Sequence, residues 1–293
     1  MAKFVFSAFA DEAGNSIEEQ IRALKENGIG YIEPRKINGK GILNLSAGEL
    51  KDIKAELDKN GIKVNSLGSP IAKYPITAPL EDHLVDFEKA IAACKIFGTS
   101  NMRMFSFFVD QKELSIYRDE VISRLNKMVD IAKKSNIKLC HENESKIYGE
   151  QPKEVLDILT NVPGLYGVFD PANYRMNNGD VIEGINATMT NFAYMHIKDA
   201  IYETQTIVPA GEGEGKVGEI LDIVNKNVDG TVYLTLEPHL HVFDAYKDID
   251  EHELKGKYVF KTGREAFDFA VKSLENVLTE RGYRKDENNQ WIK

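Results

Sequence analysis

The chain has 293 residues, a formal charge of −9 and 42% hydrophobic residues. That acidic balance argues against a general affinity for nucleic acid, whose phosphates call for Lys/Arg-rich surfaces. No apolar run approaches the roughly 20 residues of a membrane span.

The start "KFVFSAF" (3–9) runs into Asp11 and Glu12 and then a helical pattern, so it reads as a first strand rather than a signal peptide. Ser16 and Glu19 form a capping box for the helix that follows, and Gly28 suits its exit. "IGYIEPR" (29–35) is the second strand, and Ser46 with Glu49 repeats the box before a helix closed by Gly61. "IKVNSLG" (62–68) precedes a helix near 80–97, and "SNMRMFSF" (100–107) one near 113–135. Cys94 and Cys140 lie in apolar surroundings at unrelated spacing; they read as free thiols of a reducing compartment, which with the acidic charge suggests a cytoplasmic protein. "NIKLCHE" (136–142) leads to a helix near 152–160. "LYGVFD" (165–170), "FAYMHIK" (192–198) and "TVYLTLE" (231–237) are the last strands, with helices near 180–190, 217–227 and 263–281. Eight strand–helix units without a hairpin signal predict an α/β fold, a single (β/α)₈ barrel over 1–281. An open doubly wound sheet is disfavoured because no Gly-rich turn follows the first strand. The aromatic stretch 238–262 is long for a connection; it is expected near the mouth as a lid or a subunit contact, leaving homo-oligomerisation open. Residues 282–293 are expected as a polar tail, loosely attached and docked by Trp291.

Barrel enzymes work at the C-terminal ends of their strands. Here the last four end in Glu142, Asp170, His196 and Glu237. Side chains alternate faces with period two. With Leu139, Met195, Ile197, Val232, Leu234 and Leu236 packed on helices, all four polar groups turn towards the axis at one height. One acid at a strand end ordinarily caps a helix or a loop. Three converging on an imidazole would repel unless a cation joins them. Three carboxylates and one imidazole favour Mn²⁺ first, then Mg²⁺, Co²⁺ or Fe²⁺, with Zn²⁺ also open.

The segments "CHENESKIYG", "FDPANY", "MHIKDA", "PAGEGEG" and "LEPHL", together with "YIEPR" and "MRMFSF", resemble the xylose isomerase-like barrel superfamily, the sugar phosphate isomerase/epimerase family. The resemblance implies a metal quartet of Glu142, Asp170, His196 and Glu237, the set chosen by parity. It covers nearly the whole barrel yet is weak for substrate, because relatives include isomerases, epimerases, dehydratases and endonucleases. The endonuclease branch carries extra histidines for three zinc ions; Ser66, Arg103 and Asn173 stand at those places here.

The expected activity is therefore a metal-dependent sugar isomerase or epimerase, working through an enediolate, with Glu142 and Glu237 as the two proton-transfer groups. A lyase or dehydratase on a keto-polyol is the alternative; a silent sugar-binding barrel and an abasic-site endonuclease rank lower. The expected partner is a small sugar or polyol, not a nucleic acid or a membrane. Lys198 is expected to hold a substrate oxygen or to pair with Glu142 or Glu144. Arg103 and Glu33 are expected to contact substrate or to pair with each other. His239 and Asn173 are candidates for substrate hydroxyls, and Glu144 for an orienting role or a solvated turn. His141, of outward parity, should pack behind the ligands. "PAGEGEGKVG" (209–218) invites a reading as a phosphate cradle, but Glu212 and Glu214 would repel a dianion there, which favours an unphosphorylated substrate.

Overall fold

A computed structural model describes residues 1–241 and 258–293. Eight strands close around an axis: β1 (Ala2–Ala8), β2 (Tyr31–Ile32), β3 (Lys63–Val64 and Leu67–Gly68), β4 (Asn101–Met104), β5 (Lys138–Glu142), β6 (Leu165–Phe169), β7 (Phe192–Ile197) and β8 (Gly230–Leu236). Every pairing between neighbouring barrel strands is parallel, and β8 closes on β1 from Ala2↔Gly230 to Ala8↔Leu236. The seam between β1 and β2 is thin: Glu33 N–H donates to the Ala8 carbonyl at 3.0 Å. The helices are α1 (Ile17–Glu26), α2 (Ala47–Lys59), α3 (Leu80–Phe97), α4 (Leu114–Lys133), α5 (Pro152–Asn161), α6 (Pro171–Met176), α7 (Val181–Thr188), α8 (Val217–Asn227) and α9 (Gly263–Glu280). Both capping boxes form, with Ser16 and Ser46 accepting from the backbone of Glu19 and Glu49.

Strand parity divides the core as alternation requires. Leu139, Met195, Ile197, Val232, Leu234 and Leu236 join the main core between sheet and helices. Cys140, Val168 and Tyr194 form a separate cluster inside the barrel, with Tyr166 and Tyr233 packed against it. The polar strand ends lie above this plug.

Three features depart from the sequence reading. A hairpin, Asp199–Ile201 with Thr206–Val208, follows β7, and a smaller one, Lys36–Ile37 with Lys40–Gly41, follows β2. The smaller one turns on Asn38-Gly39, both at positive φ, an Asn-Gly hairpin signal that the sequence reading passed over; the turn of the other, residues 202–205, carries no such dipeptide. The tail folds as a third, Arg284–Lys285 with Trp291–Ile292, and Trp291 pairs antiparallel with Phe4 of β1. The buried Trp291 stacks on Phe6 at 6.0 Å and Asn289 donates to the Gly28 carbonyl at 2.6 Å, so the hairpin fills the lower edge of β1 that β2 is too short to cover. The expected loop 238–262 lies largely outside the described residues.

Candidate metal centre

Glu142 ends β5, Asp170 and Glu237 directly follow β6 and β8, and His196 is the penultimate residue of β7. One ligand atom from each lies within 4.8 Å of all the others, and all four residues are buried. His196 Nδ1 is 3.0 Å from Glu142 Oε1 and 3.2 Å from Glu237 Oε2. Asp170 serves two ends at once. Its Oδ1 accepts from Asn173 N–H at 3.0 Å and so caps α6, while its Oδ2 points into the cluster. Asp170 Oδ2 and Glu237 Oε2 are buried with no well-aligned hydrogen bond among the described residues; Lys198 Nζ stands 3.2 and 3.8 Å from them, and His196 Nδ1 3.2 Å from Glu237 Oε2. A buried carboxylate oxygen without a well-aligned donor is costly, and two aimed at one point beside an imidazole are what a divalent cation satisfies. The donor set of three hard oxygens and one nitrogen fits such an ion.

The titration behaviour follows from this crowding. Burial pushes Asp170 up to about 7 despite Lys198. Burial also raises Glu237, but Lys198, His196 and His239 pull it well below the usual carboxylate range. Burial lowers His196, yet Glu142 and Glu33 drive it well above an ordinary imidazole.

The remaining expected residues surround the cluster. Glu33 lies fully buried one layer below, accepting from Tyr194 Oη at 2.7 Å and Thr235 Oγ1 at 3.0 Å, with Oε2 facing His196 Nε2 at 3.4 Å. A carboxylate behind the far nitrogen of a ligating histidine fixes its tautomer and ring plane. Glu33 and Arg103 do not pair with each other: Arg103 Nε is 3.3 Å from Glu142 Oε2 and its NH1 donates to the Ser69 carbonyl at 3.1 Å. Each side chain reaches its own strand-end partner before the other. Lys198 pairs with Asp170 and Glu237 rather than with Glu142 or Glu144, because Glu144 is held by Lys73 at 2.9 Å. Asn173 donates its amide to the Asn143 carbonyl at 2.9 Å and towards Glu142 Oε1 at 3.3 Å. His239, at a φ of 46° that few side chains tolerate, donates its backbone N–H to Glu12 and places Nε2 3.3 Å from Glu237 Oε1. His141 is buried against Ser106 at 2.8 Å.

Sequence reasoning missed Asn143, Arg35, Asp11, Glu12 and Phe9. Asn143 exchanges two 2.9 Å hydrogen bonds with the Asp170 backbone and locks the ends of β5 and β6 together. Arg35 shares the parity of Glu33 two residues earlier, which was a usable signal. Glu12, Glu237 and His239 form a second group of ligand type, but the Arg35 guanidinium stands among them, 2.9 Å from Glu237 and 3.4 Å from Glu12. A protein cation already does there what an ion would do.

The Gly-rich stretch is no phosphate cradle. The N–H groups of Gly211, Gly213 and Gly215 donate to the buried Asp199 carboxylate at 2.8–3.1 Å. A Cβ at Gly213 would come within 2.3 Å of Asp199 Oδ1, which is why the turn requires glycine.

The sequence profile of the xylose isomerase-like TIM barrel family matches residues 21–255. The chain belongs to this family. This xylose isomerase-like barrel is similar in fold to a solved IolI protein with a bound zinc atom, at 16% identity and a TM-score of 0.73, covering 95% of this chain and 99% of that one. It is also similar to a D-psicose 3-epimerase solved in the presence of D-fructose, at 15% identity, a TM-score of 0.69 and coverage of 95% and 99%. A third is the probable 3-DHS dehydratase AsbF from Bacillus anthracis, at 15% identity, a TM-score of 0.67 and coverage of 94% and 99%. No curated protein matches the sequence significantly. No helix among the described residues is long and apolar enough to cross a membrane.

Proposed function

We propose that the protein is a divalent-metal-dependent isomerase or epimerase of an uncharged ketose or related polyol. The observation that carries this reading is the convergence of four buried ligand groups, Glu142, Asp170, His196 and Glu237, in which Asp170 Oδ2 and Glu237 Oε2 have no well-aligned hydrogen bond. Glu142, Asp170, His196 and Glu237 would hold the ion, with Mn²⁺ the first choice for that donor set. When bound, the ion supplies Lewis acidity for the negative charge that develops as an α-proton leaves a ketose.

The protein supplies the proton transfers. Glu142 and Glu237 stand at the two ends of the row β5–β6–β7–β8, so one can take a proton from one face of a carbon and the other return it from the opposite face. Lys198 is the candidate to hold a substrate oxygen, and His239 to meet a hydroxyl beside Glu237. Asn173 steadies Glu142, and Glu33 steadies His196.

Charge supports an uncharged substrate. Asp11, Glu12, Glu142, Glu144, Asp170 and Glu237, with Glu33 one layer below, stand with Arg35, Arg103, Lys73 and Lys198. A divalent ion brings this set close to neutrality, and each basic side chain already has a carboxylate partner. The glycine amides are spent on Asp199. None of these four basic side chains and three glycine amides is left over for a phosphate dianion.

The test is to incubate Mn²⁺-loaded protein with uncharged ketoses and inososes in D₂O and follow mass. An isomer carrying solvent deuterium supports the proposal; loss of water from the substrate assigns a lyase instead. No turnover of any ketose by protein shown to hold the ion contradicts it.

A further inference from the structure

Given Glu142 and Glu237 as cation ligands, we propose that Arg35 and Arg103, both packed on the Phe9 ring, are positioning residues that clamp one oxygen of each glutamate. Arg35 lies on the β2 extension and Arg103 on β4, far apart in sequence. Their guanidinium carbons sit 4.3 and 5.2 Å from the Phe9 ring centre. The Phe9 ring meets His196 edge-on at 5.0 Å. It is fully buried, and a Cβ on Gly68 would come within 2.6 Å of it, so the position of the ring is fixed by packing.

Each guanidinium is itself anchored. Arg35 forks onto Asp11, with Nε at 3.1 Å and NH2 at 3.2 Å, which leaves NH1 directed at Glu237 Oε1 at 2.9 Å. Arg103 gives NH1 to the Ser69 carbonyl at 3.1 Å, lies 4.7 Å from the Phe105 ring centre, and places Nε 3.3 Å from Glu142 Oε2. The clamped atoms are thus Glu237 Oε1 and Glu142 Oε2. The opposite oxygens, Glu237 Oε2 and Glu142 Oε1, are the two that face His196 Nδ1. A planar guanidinium held at several points fixes the plane of a carboxylate, which a lysine ammonium on a flexible stem does not. Each glutamate therefore presents one defined oxygen to the cation. Arg103, a substrate-contact candidate from sequence, acts through Glu142 in this account.

R35K and R103K test the clamp, since both keep the charge that Asp11, Glu12 and Glu142 face. F9L keeps every charge and loosens both guanidinium groups, so it carries the same test should an arginine variant fail to fold. The readouts are Mn²⁺ affinity, the electron paramagnetic resonance spectrum of bound Mn²⁺, and kcat and KM on an uncharged ketose. The arginine variants are expected to lose about 10- to 100-fold in Mn²⁺ affinity or kcat, with an altered Mn²⁺ spectrum and KM within about threefold. Folded variants with the wild-type spectrum, affinity and kcat overturn the clamp while leaving the proposed function intact. A rise in KM with kcat unchanged also overturns it and assigns the arginines to substrate. A wild-type protein that binds no Mn²⁺ overturns both the function and the clamp.

Discussion

The two halves of the barrel divide the work. Strands β5–β8 supply the four groups that converge on one point: Glu142, Asp170, His196 and Glu237. Strands β1–β4 supply none of them, and instead provide groups that hold them: Glu33 behind His196, Arg35 on Glu237, Arg103 on Glu142, and Phe9 packed against both guanidinium groups. Three carboxylates and an imidazole cannot be kept this close by packing alone. Arg35 and Arg103 from the facing strands, with Lys198 beside Asp170, offset part of that charge.

The division predicts different failures for the two halves. The largest effect belongs to the ligand half. Glu237→Gln should lower kcat by about 10³-fold, within the range of a lost general acid–base group, and abolish solvent-deuterium exchange at the substrate carbon. Retained exchange with the ion still bound would remove Glu237 from the chemistry. In the supporting half, Trp291→Ala should cost about 3–5 kcal/mol of stability in denaturant unfolding, since it empties a buried site against Phe6, while kcat stays at the wild-type value. Glu33→Gln lies between these two kinds of defect: the fold should persist and Mn²⁺ affinity should fall about 10- to 100-fold in a calorimetric titration. Unchanged affinity would reduce Glu33 to a packing residue.

The ligand half was legible in the sequence, and the supporting half largely was not. Strands β5, β7 and β8 are continuous, with apolar residues at every second position, so parity placed Glu142, His196 and Glu237 without help from structure. β2 pairs over two residues only, and β3 is broken at Asn65 and Ser66. Alternation cannot be counted with confidence across such pieces, and Arg35 escaped although it shares the face of Glu33. Glu12 lies in a 3₁₀ turn, where period two has no meaning. Glu33 and Arg103 share an inward face in the sequence, but whether each meets substrate or the other stays open there, because sequence gives the face of a side chain and not its height or reach. The tail "YRKDENNQWIK" is polar throughout its turn, and only Trp291 hinted at the hairpin.

The smallest predicted effect lies on the supporting side, where His83 of α3 holds the loop before that helix. His83 Nε2 accepts from Ala72 N–H at 2.8 Å, which requires a neutral ring, and burial lowers its affinity for a proton below the ordinary value of about 6.5. Asp86 opposes that shift and Arg124 adds to it. Below about pH 6.5 the unfolded chain takes up a proton that the folded one refuses, so stability from this group is complete above that pH and is lost as the pH falls. His83→Gln, which keeps an acceptor for Ala72, should make the acid-side fall in Tm shallower by a few degrees. An unchanged slope would place the acid sensitivity elsewhere.

The central claim is that one cation is held jointly by the ends of β5 to β8. Anomalous scattering from crystals grown with Mn²⁺ tests it most directly. One strong peak bounded by Asp170 Oδ2, Glu237 Oε2, Glu142 Oε1 and His196 Nδ1 is the predicted result; no peak there, or Mn²⁺ bound only at other groups, contradicts it.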